Sequence, residues 1–203
     1  MYPSVQSYLS SLNFNSIPAE RRPLLDKLTE YVKEKVAREE PVRLTYICTH
    51  NSRRSHLGQV WAQVAAVYYG VAGVTTFSGG TETTACNPRT IAAFERAGLQ
   101  IAQTTEGDNP VYHLVYAGEQ PPVVAFSKVY DQEPNPTAGF AAIMTCSQAE
   151  ENCPFIPGAE RRFSITYTDP KEADGSPAEA ATYDERCRQI ATEMMYVFSE
   201  VKK

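Results

Sequence analysis

The sequence predicts an α/β fold in which a parallel sheet carries helices on both faces, preceded by a helical extension. Three observations predict it. Short β-type runs at 42–47, 74–78, 141–144 and 164–168 are separated by helical patterns or long connections, and strands alternating with helices form parallel sheets. Apolar residues recur at three- and four-residue spacing in the segments between and after those runs. Glycine and proline stand at the boundaries where a strand or helix has to stop.

Taken in order, residues 1–40 read as an N-terminal helical extension and 41–203 as the α/β domain. Ser16-Ile17-Pro18 resembles a helix start, and Leu24, Leu25, Leu28, Tyr31 and Val32 continue at helical spacing to about Glu39, with Pro41 beyond. That helix is expected to pack outside the core domain. After the 42–47 strand and a polar loop, Leu57, Val60, Trp61, Val64, Ala65 and Tyr68 form one apolar helix face. Gly70 and Gly73 bracket a turn, the 74–78 strand follows, and Gly79-Gly80 breaks it. Asn87 caps the next helix with Pro88 at its first position, and Gly98 ends it. The runs 111–116 and 123–130 predict a hairpin or an edge ribbon. Ser176, Pro177 and Glu179 have the layout of a capping box. The last helix then carries Tyr183, Cys187, Ile190, Met194, Val197 and Phe198 on its inner side.

Composition bounds the function. The chain has 203 residues, a net charge of −5 and no basic block, which argues against nucleic acid as the main partner. No apolar run reaches transmembrane length, and the N-terminus lacks the layout of a signal peptide, so a cytoplasmic protein without a membrane partner is expected. Five cysteines, odd in number, point to chemistry or burial rather than to a disulfide scaffold. Nothing in the sequence asks for a cofactor.

The stretch Cys48-Thr49-His50-Asn51-Ser52-Arg53-Arg54-Ser55 sits between the first strand and its helix. That geometry aims successive backbone N–H groups and a helix N-terminus at one point, which binds an oxyanion. Both the helix field and Arg54 favour a thiolate at Cys48. Arg54 offers a planar fork to two oxygens of a tetrahedral anion, and Ser55 is placed to hydrogen-bond the sulfur. The segment resembles the phosphate-binding loop of the low-molecular-weight protein tyrosine phosphatases and of the arsenate reductases built on the same fold, which usually read Cys-Thr-Gly-Asn-Ser-Cys-Arg-Ser. Cys48, Thr49, Asn51, Ser52, Arg54 and Ser55 match. His50 replaces the usual glycine and Arg53 the usual cysteine. The added donors or charge of His50 and Arg53 could tighten anion binding, while His50 could hinder a turn that glycine permits. Ser78-Gly79-Gly80-Thr81-Glu82, Asn87-Pro88 and Ala97-Gly98-Leu99-Gln100-Ile101 extend the similarity. It implies a four-stranded parallel sheet with an oxyanion site made by residues 49–53 and Ser55, with Cys48 and Arg54 as catalytic residues.

Two further elements separate the readings. Cys146 and Cys153 lie seven apart with polar residues between them; in a helix that is two turns, roughly 10 Å, beyond the reach of a disulfide without local unwinding. Further thiols at zinc-ligand spacing are missing, so no metal is expected. Cys146 and the run Glu151-Asn152-Cys153-Pro154 are similar to the thioredoxin-coupled arsenate reductases in particular. Asp169-Pro170 matches the late Asp-Pro whose aspartate is the general acid in both families; alone it reads as a turn. The resemblance implies reduction of arsenate by a thiol relay with thioredoxin as reductant. The alternatives are a low-molecular-weight tyrosine phosphatase acting on a phosphate ester, and a non-catalytic anion-binding or redox-sensing module. Cys187 is expected in the core, and His56, Cys86 and His113 carry no assignment. Tyr8 and Phe14 are candidates to cover the site.

Overall fold

Along the first strand, Val42, Leu44 and Tyr46 point to one side and Ile47 to the other, and this alternation divides the interior in two. The computed structural model describes residues 1–152 and 155–203. Its elements are helix α1 (Pro3–Ser10), helix α2 (Arg22–Ala37), strand β1 (Val42–Cys48), helix α3 (Arg54–Tyr68), strand β2 (Val74–Gly80) and helix α4 (Pro88–Arg96). Strands β3 (Gln100–Gln103), β4 (Tyr112–Val115), β5 (Val123–Ala125) and β6 (Phe140–Met144) follow. Helix α5 (Ser147–Asn152), strand β7 (Ala159–Ser164) and helix α6 (Glu179–Lys202) complete the chain.

Four strands form the expected parallel sheet in the order β2-β1-β6-β7. On one face, α2, α3 and α6 cover the inner residues of β1 and β6. On the other, Ile47, Phe140, Ala142 and Met144 pack with Ala149 of α5 and with Ile156. Trp61 is fully buried, stacks on Tyr8 at 5.1 Å and donates its indole N–H to the Cys187 sulfur at 3.2 Å. Cys187 is therefore core, as expected, and burial pushes its thiol up to about 11. Fully burying each large apolar side chain of α6 contributes about 1.5–3 kcal/mol, which is why this face is so continuous.

Several boundaries differ from the sequence reading. Ser16 closes a 3₁₀ turn (Phe14–Ser16), and α2 starts only at Arg22, with Pro23 in its first turn. Leu25, Leu28 and Val32 of α2 have no exposed surface and belong to the same apolar cluster as the sheet, so this helix does not lie outside the core. Helix α1 precedes it; its Val5 and Leu9 are buried, but eight residues are too few for their spacing to stand out in sequence. The capping box does not form: α6 begins at Glu179, whose carboxylate accepts from the Gly175 N–H (2.6 Å), while Ser176 Oγ accepts from Ala178. The last strand lies at 159–164, earlier than the 164–168 run. The 103–138 region contributes to a separate antiparallel sheet, β3-β4-β5, in which the 123–130 run supplies only three residues, while its residues 128–130 bond to Gly80 at the end of β2. Tyr8 and Phe14 pack on Trp61 and Tyr196.

Candidate active site

Strand β1 ends at Cys48, in register with Gly80 of β2, and the neighbouring strand β6 ends one residue short of Thr145. Parallel strands bring their carboxyl ends to one edge, where a ligand site is expected. Between Cys48 and α3 the chain turns through Asn51, at φ 44° with no exposed surface. The left-handed position thus falls on asparagine, which tolerates it, and His50 carries no such strain; its imidazole faces outward, 3.6 Å from Glu82.

Every carbonyl of the loop is occupied from outside. Cys48 O accepts from Thr81 N–H (3.1 Å) and Thr49 O from Glu82 N–H (2.8 Å). His50 O accepts from Ser127 Oγ (2.9 Å), Asn51 O is bonded by His56 Nε2 (2.8 Å) and Ser52 O accepts from Asn87 N–H (2.9 Å). Turning the carbonyls outward leaves the N–H groups of 49–53 without an acceptor among the described residues, the arrangement of a backbone anion nest. Gly80 permits the close approach. A Cβ there would lie 2.6 Å from Thr49 O and 2.8 Å from Asn51 N and would press on the Glu82 carbonyl. Gly80→Ala is expected to cost about 1–3 kcal/mol, read as a lower denaturant midpoint at unchanged slope.

The side chains converge inside this frame. Asn51 Nδ2 donates to Ser55 Oγ (2.9 Å), and Ser55 Oγ lies 3.1 Å from Cys48 Sγ. With its oxygen accepting from Asn51, the serine proton is directed to the sulfur, the hydrogen bond a thiolate accepts. Asn51 Oδ1 accepts from Lys128 N–H (3.0 Å), so one buried asparagine fixes both sides of the loop. His56 is fully buried and lowered to about 3, chiefly by burial with Lys128 nearby, so it stays neutral, bracing Asn51 O through Nε2 and pairing with Ser78 Oγ through Nδ1 (3.1 Å). Arg54 donates to Tyr167 O (3.0 Å) and to Asp169 Oδ2 (2.6 Å), while its buried Nε has no partner among the described residues. Tyr167 is itself held: its hydroxyl donates to the buried Glu193 (2.7 Å), which takes a two-pronged ion pair from Arg21, and Arg21 also donates to Thr166 O (3.1 Å).

Cys146 follows β6, and its sulfur lies 3.5 Å from Thr49 Oγ1. Cys48 and Cys146 share the apolar cluster on that face of the sheet, and Ala149 N–H donates to the Cys146 sulfur (3.4 Å). Cys48, Ser55, Arg54, Asp169 and Cys146 are thus brought together at one edge. Arg53 is turned to Tyr183 and Asp174, and Cys153 lies outside the described residues. Lys128, Ser127, His56 and Tyr167 were not assigned from sequence, because their contributions run through backbone groups or through burial. Only Gly79-Gly80 signalled the close approach.

No family model matches the chain. An arsenate reductase of Bacillus licheniformis is 25% identical over 155 residues, covering 76% of this chain and 93% of its own length. One from Bacillus subtilis is 24% identical over 158 residues, covering 78% and 95%. Among solved structures, a mutant of YwlE from Bacillus subtilis superposes with a TM-score of 0.53 at 14% identity, covering 80% of this chain and 99% of that one. A low-molecular-weight phosphotyrosine phosphatase from Vibrio cholerae gives 0.51 at 11% identity, covering 78% and 94%. The chain has the low-molecular-weight phosphatase fold. Its sequence relatives are named arsenate reductases, and both groups are enzymes.

Proposed function

We propose that this protein reduces arsenate to arsenite through Cys48 and a thiol relay. The observation that carries the reading is a second buried thiol, Cys146, set beside the anion loop within 3.5 Å of Thr49. The names of its sequence relatives support it. The N–H groups of 49–53 and the Arg54 fork hold the oxyanion, the Cys48 thiolate attacks arsenic, and Asp169 protonates the departing oxygen, which leaves as water. Cys146 then attacks the Cys48 sulfur: a Cys48–Cys146 disulfide forms, the sulfur–arsenic bond breaks, and its electron pair leaves with arsenic as arsenite. Cys153 attacks Cys146, frees Cys48 and leaves a Cys146–Cys153 disulfide, which thioredoxin reduces in the cytoplasm. Residues 1–40 are taken as an N-terminal helical extension whose helix α2 packs onto the core of the catalytic domain, residues 41–203.

A tyrosine-phosphatase-like reaction is the second reading. Cys48, Arg54 and Asp169 are sufficient for ester cleavage, and the solved neighbours include a phosphatase of this fold. Asp169→Asn should slow aryl phosphates with poor leaving groups by about 10²-fold or more and activated ones little, because only the former need protonation; equal losses remove Asp169 from the acid role. The relay is tested by Cys153→Ser. Given one equivalent of arsenate, that variant should release arsenite once and accumulate a Cys48–Cys146 disulfide, seen as a linked peptide pair by mass spectrometry. Release of arsenite with Cys48 and Cys146 both still reduced contradicts the relay.

A further inference from the structure

Arg53 stands where the resembling families usually have cysteine; its N–H belongs to the anion loop, but its guanidinium has no part in the proposed reaction. Its Nε donates to the Tyr183 hydroxyl (2.7 Å), and its Nη2 donates to Asp174 Oδ2 (3.3 Å). Tyr183 in turn donates to Asp174 Oδ1 (2.8 Å), closing a ring of three side chains from three elements: the anion loop, α6 and the segment that bears Asp169. Arg53 is largely buried and Tyr183 almost wholly so.

The ring holds one end of a short turn. Residues Pro170–Ala173 form a 3₁₀ turn, with Asp169 capping its start and Asp174 closing it. Asp169 Oδ1 accepts from Lys171 N–H (3.1 Å), Oδ2 accepts from Arg54, and Arg53 Nε lies 4.0 Å from Oδ1. Arg89 reaches Asp174 at 3.8 Å from outside and Glu179 at 2.7 Å. Adjacent arginines of one loop therefore grip the two ends of the acid-bearing turn. The Arg54 grip fails at the moment it is needed. An oxyanion in the loop competes for the Arg54 fork, and an aspartic acid ready to give a proton is neutral and no longer forms an ion pair. The Asp174 end keeps its two donors, Arg53 and Tyr183, with Arg89 at ion-pair distance, whether or not the loop is occupied.

We propose that Arg53 is a positioning residue that, with Tyr183 and Asp174, keeps the Asp169 turn in place over the anion loop while substrate occupies Arg54. This inference rests on the reading of Asp169 as the general acid. A misplacement near 1 Å can cost about 10²-fold in rate, which sets the scale of the expected effect.

The test uses aryl phosphates as probes with purified full-length protein. Arg53→Met should lose about tenfold to a hundredfold in kcat on phenyl phosphate and under about threefold on 2,4-dinitrophenyl phosphate, with KM and inhibition by inorganic phosphate unchanged. In an Asp169→Asn background the same change should add no more than about twofold, since the two act through one group. Tyr183→Phe keeps the ring in the core and should show the same leaving-group selectivity in weaker form. Equal losses on both esters in Arg53→Met and Tyr183→Phe, with Asp169→Asn selective, overturn the inference and leave the acid assignment standing. Weaker phosphate inhibition in Arg53→Met would make Arg53 an anion ligand instead. Equal losses in Asp169→Asn itself take down the acid assignment, and this inference with it.

Discussion

Cys48→Ser is expected to abolish both arsenate reduction and ester hydrolysis, with a loss on the order of 10⁴–10⁶-fold. In the proposed reaction the loop around the sulfur binds the anion and does not make an alcohol nucleophilic. The side chain hydrogen-bonded to Cys48 is the Ser55 hydroxyl, and the buried imidazole nearby, His56, is spent on Asn51 O and Ser78. A serine hydroxyl there has no free imidazole among the described residues to take its proton, and an alcohol is a much weaker nucleophile than a thiol at neutral pH. The check is single-turnover product formation with arsenate and with an activated aryl phosphate, together with inorganic phosphate binding to show that the loop is intact. Substantial turnover by the serine variant would remove Cys48 from the chemistry altogether.

Cys146→Ser should divide the two reactions. Multiple-turnover arsenate reduction should fall to background, because no thiol remains beside the loop to displace arsenic from Cys48. Aryl phosphate hydrolysis should stay within about threefold of wild type, since Cys48, Arg54 and Asp169 make their hydrogen bonds without Cys146. The substitution is nearly isosteric, although it places a hydroxyl in an apolar setting at a cost of roughly 1–3 kcal/mol. Thr49 Oγ1 and Ala149 N–H are already within reach of that position, which limits the cost. Loss of both activities would make Cys146 a structural residue.

The sheet and the loop were legible because their signals are local. A β-type run ending in Cys48, followed directly by an amphipathic helix, specifies strand, loop and helix, and Asn87 caps α4 as its sequence indicates, accepting from Arg89 N–H (2.9 Å). The Ser176 capping box misled because its start depends on where Gly175 and Glu179 settle, which tertiary packing decides. The 103–138 region yields three short strands, one of them three residues long, too short for alternation to separate from loop. The supports of the site were hidden for another reason. Ser127, Lys128 and Tyr167 act across 77 to 113 residues of sequence, and Lys128 and Tyr167 do so through backbone groups that any residue could present. Arg53 was visible as a departure from the family pattern, but its direction toward Tyr183 depends on a contact 130 residues away.

The most direct test of the central claim is to give the purified wild-type protein arsenate with thioredoxin, thioredoxin reductase and NADPH, and to count arsenite against NADPH oxidised. The thiol relay predicts one arsenite per NADPH, sustained over many turnovers and absent when thioredoxin is omitted. Brisk hydrolysis of aryl phosphates by the same preparation, with no arsenate-dependent NADPH oxidation, contradicts it and leaves a phosphatase.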